Sequence, residues 1–271
     1  MELSIIIPAF NEEERIAPTL LTLDAFLAKQ RIHYEIIVVD DGSSDNTVIL
    51  VEAMGVKMTA LRCIPSKRNR GKGHAVRVGM LAAKGEVRVM YDADGSMPAT
   101  ELPKLITPIF SRGDSAEGAK HSRSAKQGVL KNDANSSGTS FLNTDIAIGS
   151  RYTGNADTQA AQPGWRVAWS RVANRIVQRS LVAGIRDTQC GFKAFSAEAA
   201  EAVFSRATID GWAFDLEVLA LASKLGYSIG EVGVVWSDDE RSHISPVRDF
   251  LKVACEFATI RWNFKTGVYS I

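Results

Sequence analysis

The chain has 271 residues, 45% of them hydrophobic, enough for one large α/β domain or two small ones with a substantial core. Its 32 Lys and Arg against 31 Asp and Glu leave a formal charge of +1, which excludes a global field drawing it to nucleic acid. Its three cysteines lack metal-ligand spacing, which reads as reduced thiols in the cytoplasm, and no run of about eighteen apolar residues offers a membrane span.

The chain enters a strand at once, Leu3–Pro8, without the basic start and long apolar stretch of a signal peptide. A second apolar run, Tyr34–Val39, closes on Asp40-Asp41-Gly42-Ser43-Ser44-Asp45, and between the two Leu20, Leu23 and Leu27 recur at helical spacing. The next helix has Ser44 and Asp45 as N-cap candidates and stops at Gly55; another spans about His74 to Ala83 and feeds the strand Val87–Tyr91. Strands alternating with helices predict a mostly parallel sheet, with ligands at the carboxyl ends of strands, where Asn11, Asp40 and Asp92 all fall. From Ser111 to about Thr144 the composition turns polar and Gly-rich, which predicts a flexible insertion in the 111–144 range inside one domain covering 1–271. Asp145 to Arg151 reads as a further strand ending in polar residues.

Two basic amphipathic helices are predicted. Trp165 to Ala183 carries Trp169, Val172, Ala173, Ile176 and Val177 on one face and Arg171, Arg175 and Arg179 on the other. Arg248 to Lys265 carries Phe250, Val253, Ala254, Phe257 and Ile260 on one side, with Lys252, Arg261 and Lys265 elsewhere. Each reads either as a core-packed helix with a solvated basic face or as a helix lying on a membrane surface; the pair together favours peripheral attachment.

The residues with most chemical content are Asp92-Ala93-Asp94, two carboxylates one residue apart directly after a strand. There the chain turns into a loop, so both acids can reach one hard cation that carries a diphosphate; capping of a turn is the plainer alternative. Pro8, Ala9, Asn11 and Glu12 read as a base-and-ribose pocket or simply as a strand end and helix start. Asp40 and Asp41 can accept from a nucleobase imide or stand as turn residues. Lys67, Arg68, Arg70 and Lys72, interleaved with Gly71 and Gly73 before a helix, can meet phosphate through N–H groups and cations, or form a solvated basic loop.

Taken together, Ile5-Ile6-Ile7-Pro8-Ala9-Phe10-Asn11-Glu12-Glu13, Val38-Val39-Asp40-Asp41-Gly42-Ser43, Arg70-Gly71-Lys72-Gly73 and Asp92-Ala93-Asp94-Gly95 resemble glycosyltransferase family 2. Ile148-Gly149-Ser150-Arg151, Arg186-Asp187-Thr188-Gln189-Cys190-Gly191-Phe192-Lys193 and Trp212-Ala213-Phe214-Asp215-Leu216-Glu217 narrow the resemblance to the polyprenyl-phosphate transferases and their dolichyl-phosphate β-glucosyl branch. The resemblance implies a GT-A fold, an α/β domain with C-terminal amphipathic helices. It implies a nucleotide-sugar site of Pro8, Ala9, Asn11, Glu12, Asp40, Asp41, Lys72, Asp92, Ala93 and Asp94, with Mg²⁺ or Mn²⁺ on Asp92 and Asp94. Arg151 is then expected near the acceptor phosphate, with Asp187 and Gln189 beside the transferred sugar.

The function so implied is inverting transfer of glucose from UDP-glucose to a polyprenyl or dolichyl phosphate at the cytosolic face of a membrane. Alternatives from the same residues are a GDP-mannose donor, a hydroxyl acceptor, or a module that binds nucleotide sugar without turnover. Eukaryotic members of the glucosyl branch usually begin with a transmembrane anchor, which this sequence does not carry; either the amphipathic helices serve for attachment or the chain is a truncated form.

Overall fold

Ile5, Ile6 and Ile7 are all fully buried, although successive side chains of a strand point to opposite faces, so both faces of the sheet are covered here. They belong to β1 (Leu3–Ala9) of a seven-stranded sheet with β2 (Tyr34–Asp40), β3 (Leu61–Pro65), β4 (Val87–Met90), β5 (Ile146–Ser150), β6 (Lys193–Ser196) and β7 (Ile229–Gly233), in the order β3-β2-β1-β4-β6-β5-β7. This computed structural model describes residues 1–116, 143–150, 184–236 and 246–271. Among the described strands only β6 opposes its neighbours; the pairs β1–β2, β1–β4, β2–β3 and β5–β7 are parallel.

Among the described residues the helices are α1 (Ile16–Leu27), α2 (Thr47–Gly55), α3 (Lys72–Ala82), α4 (Leu102–Ala116), α5 (Ala197–Phe204), α6 (Phe214–Lys224) and α7 (Pro246–Thr266). The leucine spacing of α1 does what it predicts, since Leu20, Leu23 and Leu27 are all buried. Helix α3 lies so close on β1 and β2 that a Cβ at Gly79 would come within 2.4 Å of Ile6 Cγ2 and 3.0 Å of Val39 Cγ2.

Several expectations need adjusting. Helix α2 takes Asn46, not Ser44 or Asp45, as its N-cap residue. Asp45 still serves the helix from one residue earlier, its Oδ1 accepting from the Thr47 N–H at 3.0 Å. Helix α3 begins at Lys72, two residues before His74. At the edges of the polar stretch, residues 111–116 continue α4, and the N–H groups of Asn143 and Thr144 both donate to the Pro108 carbonyl. The rest of that stretch, Arg151 and the helix expected over Trp165–Ala183 lie outside the described residues.

The sheet places the site. From β1 the chain steps outward to β2 and β3, then returns to the other side of β1 for β4. Such a reversal opens a crevice beyond the carboxyl ends of the two central strands, the usual ligand position in open α/β sheets.

Candidate active site

Asn11 follows the end of β1 with φ 55°, a left-handed conformation that its short polar side chain tolerates. Its N–H donates to Ser43 Oγ at 2.8 Å and its Oδ1 accepts from the Ser44 N–H at 2.9 Å, so the loops after β1 and β2 are tied together. Glu12 adds to that tie through its N–H on Thr47 Oγ1 at 2.8 Å. Both Glu12 carboxylate oxygens are engaged by Arg15, at 2.7 Å each. Burial pushes the Glu12 carboxyl above its ordinary value; Arg15 pulls it back and Asp94 and Asp92 add to the rise. Glu12 therefore shares the electrostatic field of the Asp92–Asp94 pair.

Asp40 and Asp41 divide two structural tasks. Asp40 closes its own turn, Oδ2 accepting from the N–H groups of Gly42 at 3.0 Å and Ser43 at 3.1 Å. Asp41, 3% exposed, clamps the basic loop before α3, accepting from the N–H of Arg70 at 3.0 Å and of Gly71 at 2.7 Å. The His74 N–H donates to the Asp210 carbonyl at 3.1 Å. The N–H groups of Arg70, Gly71 and His74 are thus committed within the protein, and the cation of this loop that reaches the strand-end acids is Lys72.

The Lys72 ammonium sits 2.6 Å from Asp92 Oδ1, both side chains about one-fifth exposed, and 5.5 Å from the centre of the Trp212 ring. Burial works against that charge, but Asp92 and Asp215 outweigh it and hold the ammonium above the ordinary lysine value. On its other side Asp92 presses on Gly191: a Cβ there would meet Asp92 Oδ2 at 1.9 Å. Asp94 accepts from the Ser96 N–H at 2.9 Å across Gly95, whose φ is +70°. Ala93 is buried, its carbonyl accepting from Thr19 Oγ1 of α1 at 2.8 Å, so the backbone between the two acids is held fast.

Two hard carboxylates suit a divalent ion such as Mg²⁺ or Mn²⁺ that completes its shell with diphosphate oxygens and water. Among the described residues no group of three or more His, Cys, Asp or Glu stands ready to hold a metal.

The structure brings to this point a set of groups that the strand-end motifs do not announce. Gly191 touches Asp92, Phe192 packs edge-on against Tyr91 with ring centres 5.8 Å apart, and Lys193 donates to Asp215 Oδ1 at 2.5 Å in a fully buried pair. Trp212 is half exposed beside Lys72, on a loop held from two sides. Asp210 accepts from Arg70 at 3.0 Å and Arg77 at 2.5 Å, and Glu256 of α7 accepts from the Ala213 N–H at 2.8 Å. A lysine inside the apolar run Phe192-Lys193-Ala194-Phe195 was the available signal, because a buried ammonium requires an acid partner.

Asp187 is buried, its N–H donating to Glu231 Oε1 at 2.8 Å, while Gln189 is exposed. Both precede Gly191 in the segment that borders Asp92. On α7, Ile260 is buried and Val253 and Phe257 pack half-buried against the core, while Ala254 is exposed. Trp262, Arg261 and Lys265 face outward and, with Lys224 of α6, line a surface groove of about 610 Å³. No helix among the described residues is long and apolar enough to cross a membrane, and Cys63 and Cys255 are free thiols.

Comparison with known proteins bears on the family and the fold. Residues 4–131 match the model of "Glycosyl transferase family 2". A Dictyostelium discoideum protein called dolichyl-phosphate beta-glucosyltransferase is 35% identical over 99% of this chain and 76% of its own length. The human and Saccharomyces cerevisiae proteins of that name are each 31% identical, over 100% and 98% of this chain and 78% and 76% of their own. Mycobacterium tuberculosis glucosyl-3-phosphoglycerate synthase superposes with a TM-score of 0.64 at 18% identity, over 96% of this chain and 80% of that one. Its complex with Mn²⁺, UDP-glucose and phosphoglyceric acid gives 0.62 at 17% identity, over 96% and 79%. The structural likeness establishes the GT-A fold, while sequence identity sustained along the whole chain, and not over one motif, decides membership: the chain belongs to glycosyltransferase family 2 and is similar within it to the dolichyl-phosphate β-glucosyltransferases.

Proposed function

We propose that this glycosyltransferase moves glucose from UDP-glucose to the phosphate of a polyprenyl lipid of the dolichyl type, inverting the anomeric carbon. The observation that carries the reading is Asp92-Ala93-Asp94 at the sheet's switch point with the Lys72 ammonium against Asp92, a paired anion and cation suited to a metal-bound diphosphate. The names of the relatives support the donor sugar and the lipid phosphate. A divalent ion on Asp92 and Asp94 supplies charge stabilisation for the departing UDP.

The chain's own residues do the rest. Pro8, Ala9, Asn11, Asp40 and Asp41 shape and rigidify the floor for the nucleoside, and Lys72 offers the diphosphate a cation from the first turn of α3. Asp187 and Gln189, on the segment bordering Asp92, are assigned to sugar hydroxyls, and Arg151 to the acceptor phosphate. A phosphate monoester has a second pKa of about 6 and attacks C1 as a dianion without a strong general base. Asp215, an acid that a hydroxyl acceptor could call on as base, is already bound to the buried Lys193 ammonium, which favours the phosphate acceptor. Peripheral attachment to a membrane is assigned to the outward Lys224, Arg261, Trp262 and Lys265.

A panel of UDP-glucose, GDP-mannose and other nucleotide sugars with a short-chain polyprenyl phosphate and with soluble hydroxyl acceptors, read by product mass, tests donor and acceptor together. A β-linked glucosyl lipid phosphate is the expected product. Transfer only to a hydroxyl acceptor, or only from GDP-mannose, would replace this reading.

A further inference from the structure

Asp92 lies between a cation and backbone. The Lys72 ammonium stands 2.6 Å from Oδ1, the Gly191 backbone closes on Oδ2, and the Trp212 ring stands on the far side of Lys72 at 5.5 Å. Behind them the Lys193–Asp215 pair fills the interior. A divalent cation approaching this carboxylate meets an ammonium already in place. Two cations on one carboxylate repel, and the ammonium leaves readily only if another anion receives it. Lys72 starts α3, so its backbone is fixed while its four-carbon stem can turn.

Resting on the nucleotide-sugar reading above, we propose that Lys72 is an internal counter-ion that holds Asp92 until the donor arrives. The divalent cation then binds Asp92 and Asp94 tightly only together with a diphosphate, onto which the Lys72 ammonium transfers. Donor and metal are therefore coupled by Lys72 as well as by their direct contact, and by linkage each raises the affinity of the other equally. Lys72 acts as a positioning residue for the metal carboxylate and as a contact of the donor.

The test is Mn²⁺ binding, read from the EPR signal of the free ion, with the full chain alone and with UDP. The parent is expected to bind Mn²⁺ weakly alone and much more tightly with UDP. Lys72→Met keeps the stem beside Trp212 but removes the charge; it should bind Mn²⁺ alone about tenfold more tightly or better, the effect of losing one like charge within a few ångströms. UDP should then add correspondingly less. Lys72→Arg should stay near the parent, and Lys72→Gln repeats the charge removal should Lys72→Met fail to fold by circular dichroism. A folded neutral variant that binds Mn²⁺ alone no better than the parent overturns the proposal while leaving the nucleotide-sugar reading intact. A parent that binds no Mn²⁺ even with UDP overturns both.

Discussion

Gly191→Ala asks the most of this geometry. The added Cβ would lie 1.9 Å from Asp92 Oδ2 and 2.6 Å from its Cγ, whereas side-chain Cβ atoms essentially never come within 3.0 Å of another heavy atom. The carboxylate must withdraw by about 1 Å, and Lys72, 2.6 Å from its other oxygen, must move with it. The obstruction is the end of a side chain and not backbone, so the fold and its melting temperature should hold. The chemistry should not, because a displacement of about 1 Å can cost on the order of 10²-fold in rate. At 1.36 kcal/mol per decade that is about 2.7 kcal/mol of transition-state stabilisation. The assay is initial rate of glucosyl transfer from UDP-glucose to a short-chain polyprenyl phosphate, with thermal melts in parallel. Gly55→Ala is the control, since its Cβ would find only the Leu61 carbonyl at an ordinary 3.5 Å. A Gly191→Ala enzyme working near the parent rate would show that the placement of Asp92 does not matter to the reaction.

Four further outcomes are expected. Asp94→Asn should lower turnover by at least about two orders of magnitude, the loss that follows removal of one electrostatic stabiliser, and an unimpaired rate would remove Asp94 from the metal site. Asp215→Asn leaves the fully buried Lys193 ammonium without its anion and should destabilise by about 3–5 kcal/mol in urea unfolding. The double change Lys193→Met with Asp215→Leu should recover most of that; equal losses would mean that the pair's charge is not the issue. Burial would raise the Asp210 carboxyl, but Arg77 and Arg70 hold it below its ordinary 3.8. Its stabilising contribution is therefore complete above that value and lost as pH falls through the lower folded-state value. Melts of the parent and Asp210→Asn should differ at neutral pH and converge in acid, and a gap that persists or widens there would contradict the pairing. Sedimentation with anionic vesicles should fall with salt and with Lys224, Arg261 and Lys265 changed to Ser, each cation contributing roughly 1 kcal/mol near the surface; unchanged sedimentation would place the membrane contact elsewhere.

The alternation of apolar runs and leucine spacings in the first ninety or so residues was enough to place β1, α1, β2 and β4, because period and burial are local properties that each segment carries itself. It also put Asn11, Asp40 and Asp92 at strand ends, since a polar residue closing an apolar run is legible without a partner. Strands β6 and β7 were not legible: Lys193 opens one and Gly230 and Gly233 punctuate the other, and their strand state comes from the neighbours they pair with. The same limit governed function. Sequence could nominate Asp40 and Asp41 as acids near a ligand, but only the fold shows one closing a turn and the other clamping the loop that carries Lys72. It could set two basic amphipathic helices against a membrane, but only packing shows Val253, Phe257 and Ile260 of α7 turned toward the core. Contacts between residues a hundred positions apart, such as Gly191 on Asp92, are decided by the sheet order, in which the antiparallel β6 lies next to β4; no local pattern in either segment encodes that adjacency.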